Sequence, residues 1–163
     1  MLSSFIPTIY VQLSPERLTL RNAKTGMTIS EIPEIAIARG TKPRILGVGG
    51  EARLQRAAST VEVEIINPFA HPRSLVSDFI SGEQVLKGLL RRLLSESIFA
   101  ASPRVVLHPM GDPEGGFTQI EIRALQEMAA GAGASKVTVW QGRALSDAEL
   151  LSGQFPADGK ILA

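Results

Sequence analysis

Residues 103–140, PRVVLHPMGDPEGGFTQIEIRALQEMAAGAGASKVTVW, decide the fold. Arg104 to His108 holds the apolar run Val105, Val106 and Leu107, short enough for a buried strand. Pro109 to Gly116 is broken by Pro, Gly and Asp and reads as a loop. Thr118 and Glu121 have the T-x-x-E spacing of a capping box, each side chain accepting from the other's backbone N–H. Phe117 and Ile122 stand where a hydrophobic staple closes over such a cap. Ile120, Ala124, Leu125 and Met128 share one face at helical spacing. Gly131 and Gly133 end the helix, and Val137, Val139 and Trp140 resume a strand. A helix between two strands predicts a parallel pair joined by a right-handed crossover. The fold class is therefore α/β.

The chain on either side extends this reading. Ile9, Val11 and Leu13 alternate along Thr8 to Leu13 and predict a half-buried strand. Ser14-Pro15-Glu16 is a turn, Leu18 and Leu20 continue in a second strand, and Asn22 to Gly26 turns into a third near Met27 to Ser30. Ile35 and Ile37 suggest a short strand, and Ile45 to Val48 another. Gly47, Gly49 and Gly50 fit neither a dinucleotide fingerprint nor a P-loop, and read as the turn before a short helix from Glu51 to Ala58. Val61, Val63 and Ile65 alternate with Glu62 and Glu64 in an exposed strand. Beyond Pro68 and Pro72 a helix is predicted with Ser81 as cap, Gln84 three residues on, and an Ile80–Val85 staple. Its stripe of Val85, Leu86, Leu89, Leu90, Leu93 and Leu94 reads as a core helix under a sheet. A basic amphipathic helix on a membrane surface is the alternative. Ser146 and Glu149 make a further capping box, and residues 153–163 read as a loose tail.

The chain has 163 residues, 44% of them hydrophobic and 20% charged, the composition of an ordinary globular domain with a real core. A net charge of +1, with one Trp and one Tyr, argues against nucleic acid as a partner. The absence of Cys excludes disulfides and thiolate chemistry and suits a reducing cytoplasm. No signal peptide is expected from MLSSFIPTIYVQL, and no apolar run approaches the ~20 residues that span a bilayer.

Three segments together resemble MreB, the bacterial actin-like, rod-shape-determining family. PRVVL with the following loop, Glu121 to Ala124 and AGAGASKVTV are similar to that family's P-R-V, E-R-R-A-I and GAGA-containing segment. INPFAHPRSLVSDF, from Ile66 to Phe79, is similar to R-P-M-x-x-G-V-I-A-D-F. VGGEARLQ, from Val48 to Gln55, is similar to V-G-x-x-A. The likeness runs in family order from Val48 to Val139. It implies an actin-like, ribonuclease H-like domain I spanning 1–163. That domain has a mixed sheet, flanking helices and a small inserted subdomain from about Ala38 to Ile65.

The resemblance also implies where a nucleotide would be held. The family's first phosphate hairpin, Asp-Leu-Gly-Thr, falls on Gln12-Leu13-Ser14-Pro15, followed by Glu16. An amide replaces the metal-organising carboxylate, and a serine replaces the glycine that lets backbone approach phosphate. Proline removes one N–H, and Glu16 adds a negative charge. The hydrolytic carboxylate of the family's E-E-P falls on Gln141. The chain also ends where domain I would end, so the expectation is a pseudo-ATPase with no cofactor, serving as a scaffold, adaptor or filament modifier in the cytoplasm. A nucleotide half-site completed by a partner chain is one alternative. Another is a small-molecule enzyme using Asp112 and Glu114, which lie in a loop at the carboxyl end of a strand.

His71 and His108 lack a second ligand at metal spacing, and His108 reads as structural. In MreB proteins a hydrophobic loop ahead of P-R-V meets the inner membrane. Ile98 and Phe99 stand near that place and serve either as such a foot or as core packing. Leu145, Ala148, Leu150, Leu151 and Phe155 form an apolar group around the last helix. It predicts pairing with a second copy, or with another cell-shape protein.

Overall fold

The computed structural model describes residues 5–95 and 101–163. Its centre is a six-stranded mixed sheet. Strands β1 (Thr8–Leu13), β2 (Leu18–Asn22) and β3 (Thr28–Glu31) form an antiparallel meander. β4 (Ile35–Ala38), β5 (Arg44–Val48) and β6 (Val63–Ile66) build a separate three-stranded sheet, in the order β5-β4-β6, with helix α1 (Gly50–Ala58) beside it. Then come α2 (Phe79–Leu94), β7 (Arg104–Pro109), α3 (Gln119–Gly131), β8 (Lys136–Gln141), α4 (Asp147–Ser152) and β9 (Lys160–Ile161). The main sheet runs β3-β2-β1-β7-β8-β9, with β7 parallel to both β1 and β8. The parallel pair joined by α3 is as its sequence predicts.

Period-two alternation sorts the strands' side chains onto two faces. Ile9, Val11, Leu13, Val105, Leu107 and Val139 face α2 and α3, where Val85, Leu89, Leu93, Leu125 and Met128 complete the principal core. The membrane-surface alternative for α2 therefore gives way: its apolar stripe is buried on the sheet. On the opposite face Tyr10, Val106 and Trp140 pack with Leu145 and Leu150 in a smaller cluster.

The cap of α2 is Asp78 rather than Ser81. Asp78 Oδ1 accepts from the Ser81 N–H at 3.0 Å, and the Ser81 hydroxyl donates to Oδ2 at 2.8 Å inside the first turn. Asp78 has the extended backbone of a cap residue, and the helix starts at Phe79, so Ser81 already lies inside the first turn. Ile80 consequently points outward, 74% exposed, and makes no staple. On α3 the capping box of Thr118 and Glu121 is present, but Ile120 is 83% exposed. Leu125, Met128 and Ala129 carry the buried face instead, because the helix begins at Gln119 and turns Ile120 away from the sheet.

Residues 153–163 are not a loose tail. Gly153 ends α4 in the left-handed conformation, and the chain returns so that β9 pairs antiparallel with β8, Trp140 opposite Ile161 and Gln141 opposite Lys160. Two further bonds, Leu162 N–H to the Val139 carbonyl and Val139 N–H to that of Ala163, extend the pairing. Gly159 permits it: a Cβ there would stand 2.4 Å from Trp140 Cη2. The small sheet joins the principal core through Ile35, with Ile37, Val48 and Ile66 packed against it, and charge pairs add to that contact. Glu31 accepts from the Gly50 N–H at 2.9 Å and from Arg92 on α2 at 2.5 Å. The buried Glu34 takes both arms of Arg53, at 2.9 and 2.8 Å, and this pairing holds its carboxyl below the usual range.

Candidate functional site

The carboxyl ends of β1, β7 and β8 open onto two adjoining cavities that share Gly111 and Asp112. One, of about 480 Å³, runs beside Gln141, Gly142 and the returning residues Asp158 and Lys160. The other, of about 510 Å³, lies between the 67–77 loop and the 110–118 loop, with Phe69, Leu75, Met110 and Phe117 on its walls. Carboxyl ends of parallel strands are where α/β domains hold ligands.

The β1–β2 hairpin at the edge of this cleft is closed on itself. The Ser14 N–H donates to the Arg17 carbonyl at 3.0 Å, and its Oγ both donates to that carbonyl and accepts from the Arg17 N–H, each at 3.1 Å. Pro15 has no N–H, and its carbonyl accepts from Asn67 Nδ2 at 2.8 Å. Asn67 is in turn fixed by accepting from the Phe69 N–H at 3.1 Å. Glu16 is exposed, and Gln12 lies half-buried between Thr19 and His108 in the sheet. At the other wall Gln141 Nε2 donates to Asp112 Oδ1 at 3.4 Å, which brings together two residues that the sequence only named separately. Glu114 is exposed in its loop.

Glu121 ties the two loops together. One oxygen accepts from the Thr118 N–H and hydroxyl, and the other from the Leu75 N–H at 2.9 Å. Burial pushes its carboxyl up, but these hydrogen bonds outweigh it and hold the group below the ordinary range. Asn67 and Glu121 in this second role are the residues that sequence reasoning missed. The Asn67-Pro68 pair was the one available signal, since Asx residues cap turns.

His108 is a structural residue at the back of the cleft, 3% exposed. The Tyr10 hydroxyl lies 2.5 Å from its Nδ1, within hydrogen-bond distance. Burial pushes the His108 pKa down, against a hydrogen bond with the Gly142 backbone. The Tyr10 oxygen also accepts from the Leu145 N–H at 3.2 Å, so one buried pair joins β1, β7 and the segment before α4. His71 is exposed on its loop and accepts from the Arg73 N–H. Among the described residues no three His, Asp or Glu side chains gather as a metal site, and no helix is long and apolar enough to cross a membrane.

The apolar group assigned to self-association is largely internal. Leu145 and Leu150 are buried in the smaller core, and Phe155 packs edge-on against Trp140 with centroids 5.4 Å apart. Only Ala148 and Leu151 face outward. The short helix sets Leu150 on the sheet, while Glu149 is bonded at its outer side. The bidentate Arg143 and the Ser146 N–H hold that carboxyl at about 2. Ile98 and Phe99 lie outside the described residues.

This architecture, a mixed sheet flanked by helices with a small sheet set to one side, is that of an actin-like domain. Crystallised Spiroplasma citri MreB5 bound to ADP superposes with a TM-score of 0.63 at 19% identity, covering 82% of this chain and 37% of that one. A MamK double helical filament gives 0.54 at 12% identity, over 81% and 40%. The sequence profile of the MreB/Mbl protein family matches residues 10–146, and the chain belongs to that family. Cell shape-determining protein MreB of Haemophilus influenzae is 31% identical over 117 residues, which are 70% of this chain and 32% of the relative. The Escherichia coli K12 protein is 30% identical over 116 residues. The chain thus spans about a third of the length of the curated relatives it matches.

Proposed function

We propose that this domain works without nucleotide, as a scaffold, adaptor or filament modifier among cell-shape proteins related to MreB. The observation that carries the reading is the closed hairpin. A phosphate grip needs backbone N–H groups pointing at the ligand. Here the Ser14 N–H and the Arg17 N–H are both engaged within the turn, and Pro15 supplies none. Asn67 fixes the turn from behind. Exposed Glu16 repels the phosphate charge, and Gln141, bonded to Asp112, is an amide that cannot take a proton from water as a carboxylate does. A nucleotide does not fit these residues, and no reaction step is assigned to them.

Titration calorimetry with Mg-ATP should give no saturable heat, and binding in the micromolar range overturns the reading. A graft separates a weak hairpin from a missing second half of a site. Spiroplasma citri MreB5, solved with ADP and with AMPPNP, should lose affinity for both when its phosphate hairpin is replaced by Gln-Leu-Ser-Pro. Undiminished binding by that graft also overturns it.

A further inference from the structure

The sheet face beneath α4 is only partly covered. Even-numbered side chains of β1, β7 and β8 point to it. α4 and Phe155 close over Tyr10, Val106 and Trp140. Among the described residues, the row at the amino ends of the strands is less covered: Thr8 is buried, but Arg104 is half-buried and Lys136 exposed. There Thr8 stands opposite Arg104, and Arg104 opposite Lys136. Over this row is a cavity of about 230 Å³, with Thr138 beside the cations and Val106, Leu151 and Phe155 as an apolar wall. It lies at the other ends of the strands from the cleft described above.

Two cations directly opposite on neighbouring strands repel each other. Among the described residues neither Arg104 nor Lys136 has a carboxylate partner. Strands about 4.8 Å apart place both heads within reach of one anion. Arginine offers a planar fork and lysine a point charge, a pairing suited to a phosphate head. Thr8 and Thr138 add hydroxyls that donate or accept.

We propose that this cavity binds an alkyl phosphate monoester. Its head carries about −1.5 to −2 charges at neutral pH and matches the two cations. Its alkyl body lies against Leu151 and Phe155. At about 30 Å³ per water-sized group, the cavity has room for roughly eight such groups, enough for the head and a short chain. A free alkyl phosphate and the phosphatidate headgroup of a lipid present the same chemistry.

The test uses hexyl phosphate titrated into the full chain, followed by amide chemical shifts. Saturable binding is expected, with Arg104→Gln and Lys136→Gln each weakening it about tenfold or more, as loss of a charge-assisted bond does. Lys136→Glu should abolish binding while its melting temperature stays at or above the wild-type value, because the repelling pair becomes an attracting one. Leu151→Ser, at a half-exposed position, should weaken hexyl phosphate but leave inorganic phosphate unaffected. Co-sedimentation with phosphatidate-containing vesicles, absent with phosphatidylcholine alone and lost in Lys136→Glu, assigns the lipid source. Hexyl phosphate binding without vesicle binding assigns the free one. No saturable binding up to about 1 mM, the weak end of specific affinity, or binding unchanged in folded Lys136→Glu, overturns the proposal.

Discussion

The two faces of the central sheet are built on opposite principles. Beneath α2 and α3 the packing is aliphatic, with Val85, Leu86, Leu89 and Leu125 wholly or almost wholly buried and no polar contact needed among them. Beneath α4 the cluster is small and depends on residues with a polar handle. Tyr10 bonds His108 and the Leu145 N–H, and Trp140 Nε1 donates to the Arg143 carbonyl at 2.9 Å. One face is held by area and the other by hydrogen bonds that locate a short helix. The second face should therefore be the more sensitive to loss of a single polar group.

That contrast is sharpest in a pair of truncations. Leu89→Ala should cost about 2–5 kcal/mol, the range for a cavity in a core that cannot collapse, and Leu150→Ala should fall at the bottom of that range. Urea unfolding of both variants is the measurement, and equal costs would dissolve the distinction between the faces. Tyr10→Phe tests the polar side. It leaves a buried imidazole nitrogen and the Leu145 N–H without their partner and should cost about 1–3 kcal/mol. A cost near zero would mean that the aromatic area alone holds α4.

The smallest effect is one of pH. Burial lowers the pKa of His108, so the unfolded chain binds the proton more readily than the folded one. Stability is then complete above the ordinary imidazole value of about 6.5 and declines as pH falls below it. Denaturation curves at about pH 7.5 and about pH 5.5 should show this loss, and His108→Gln should remove the His108 part of it. His71→Gln, on an exposed loop, is the control. An unchanged slope in His108→Gln would show that other groups set the dependence.

Where a signal was local, the sequence could be read. The boxes at Thr118–Glu121 and Ser146–Glu149 fall within one turn, and both are present. The strands that alternate over four or more residues were legible for the same reason. Most of the errors have a common source in distance, the cap of α2 being the local exception. Ser81 and Gln84 mimic a cap, but the helix starts three residues earlier and Asp78 caps it. β9 has two residues and therefore no period, and only its fit against Trp140 and Gln141 reveals it. The hairpin at Ser14 was readable as altered, but its lock by Asn67 joins residues with no sequence signal between them. Leu145 and Leu150 looked like a surface needing a partner because the sheet face they cover is assembled from three separate strands.

The position of β1 bears on how this chain is made. Its inner edge waits for β7, so that Thr8 meets Arg104 only after most of the chain exists. At bacterial or eukaryotic rates of synthesis, about 5–20 residues per second, the wait is on the order of ten seconds. The small sheet and α1, all within 35–66, can close during that interval. Meanwhile the amino-terminal meander carries the apolar side chains of Ile9, Val11 and Leu13 along an unpaired edge. Such long-range pairing folds slowly, and an unpaired edge invites other chains. A nascent chain halted before residue 104 is thus the form of this protein with most need of a chaperone.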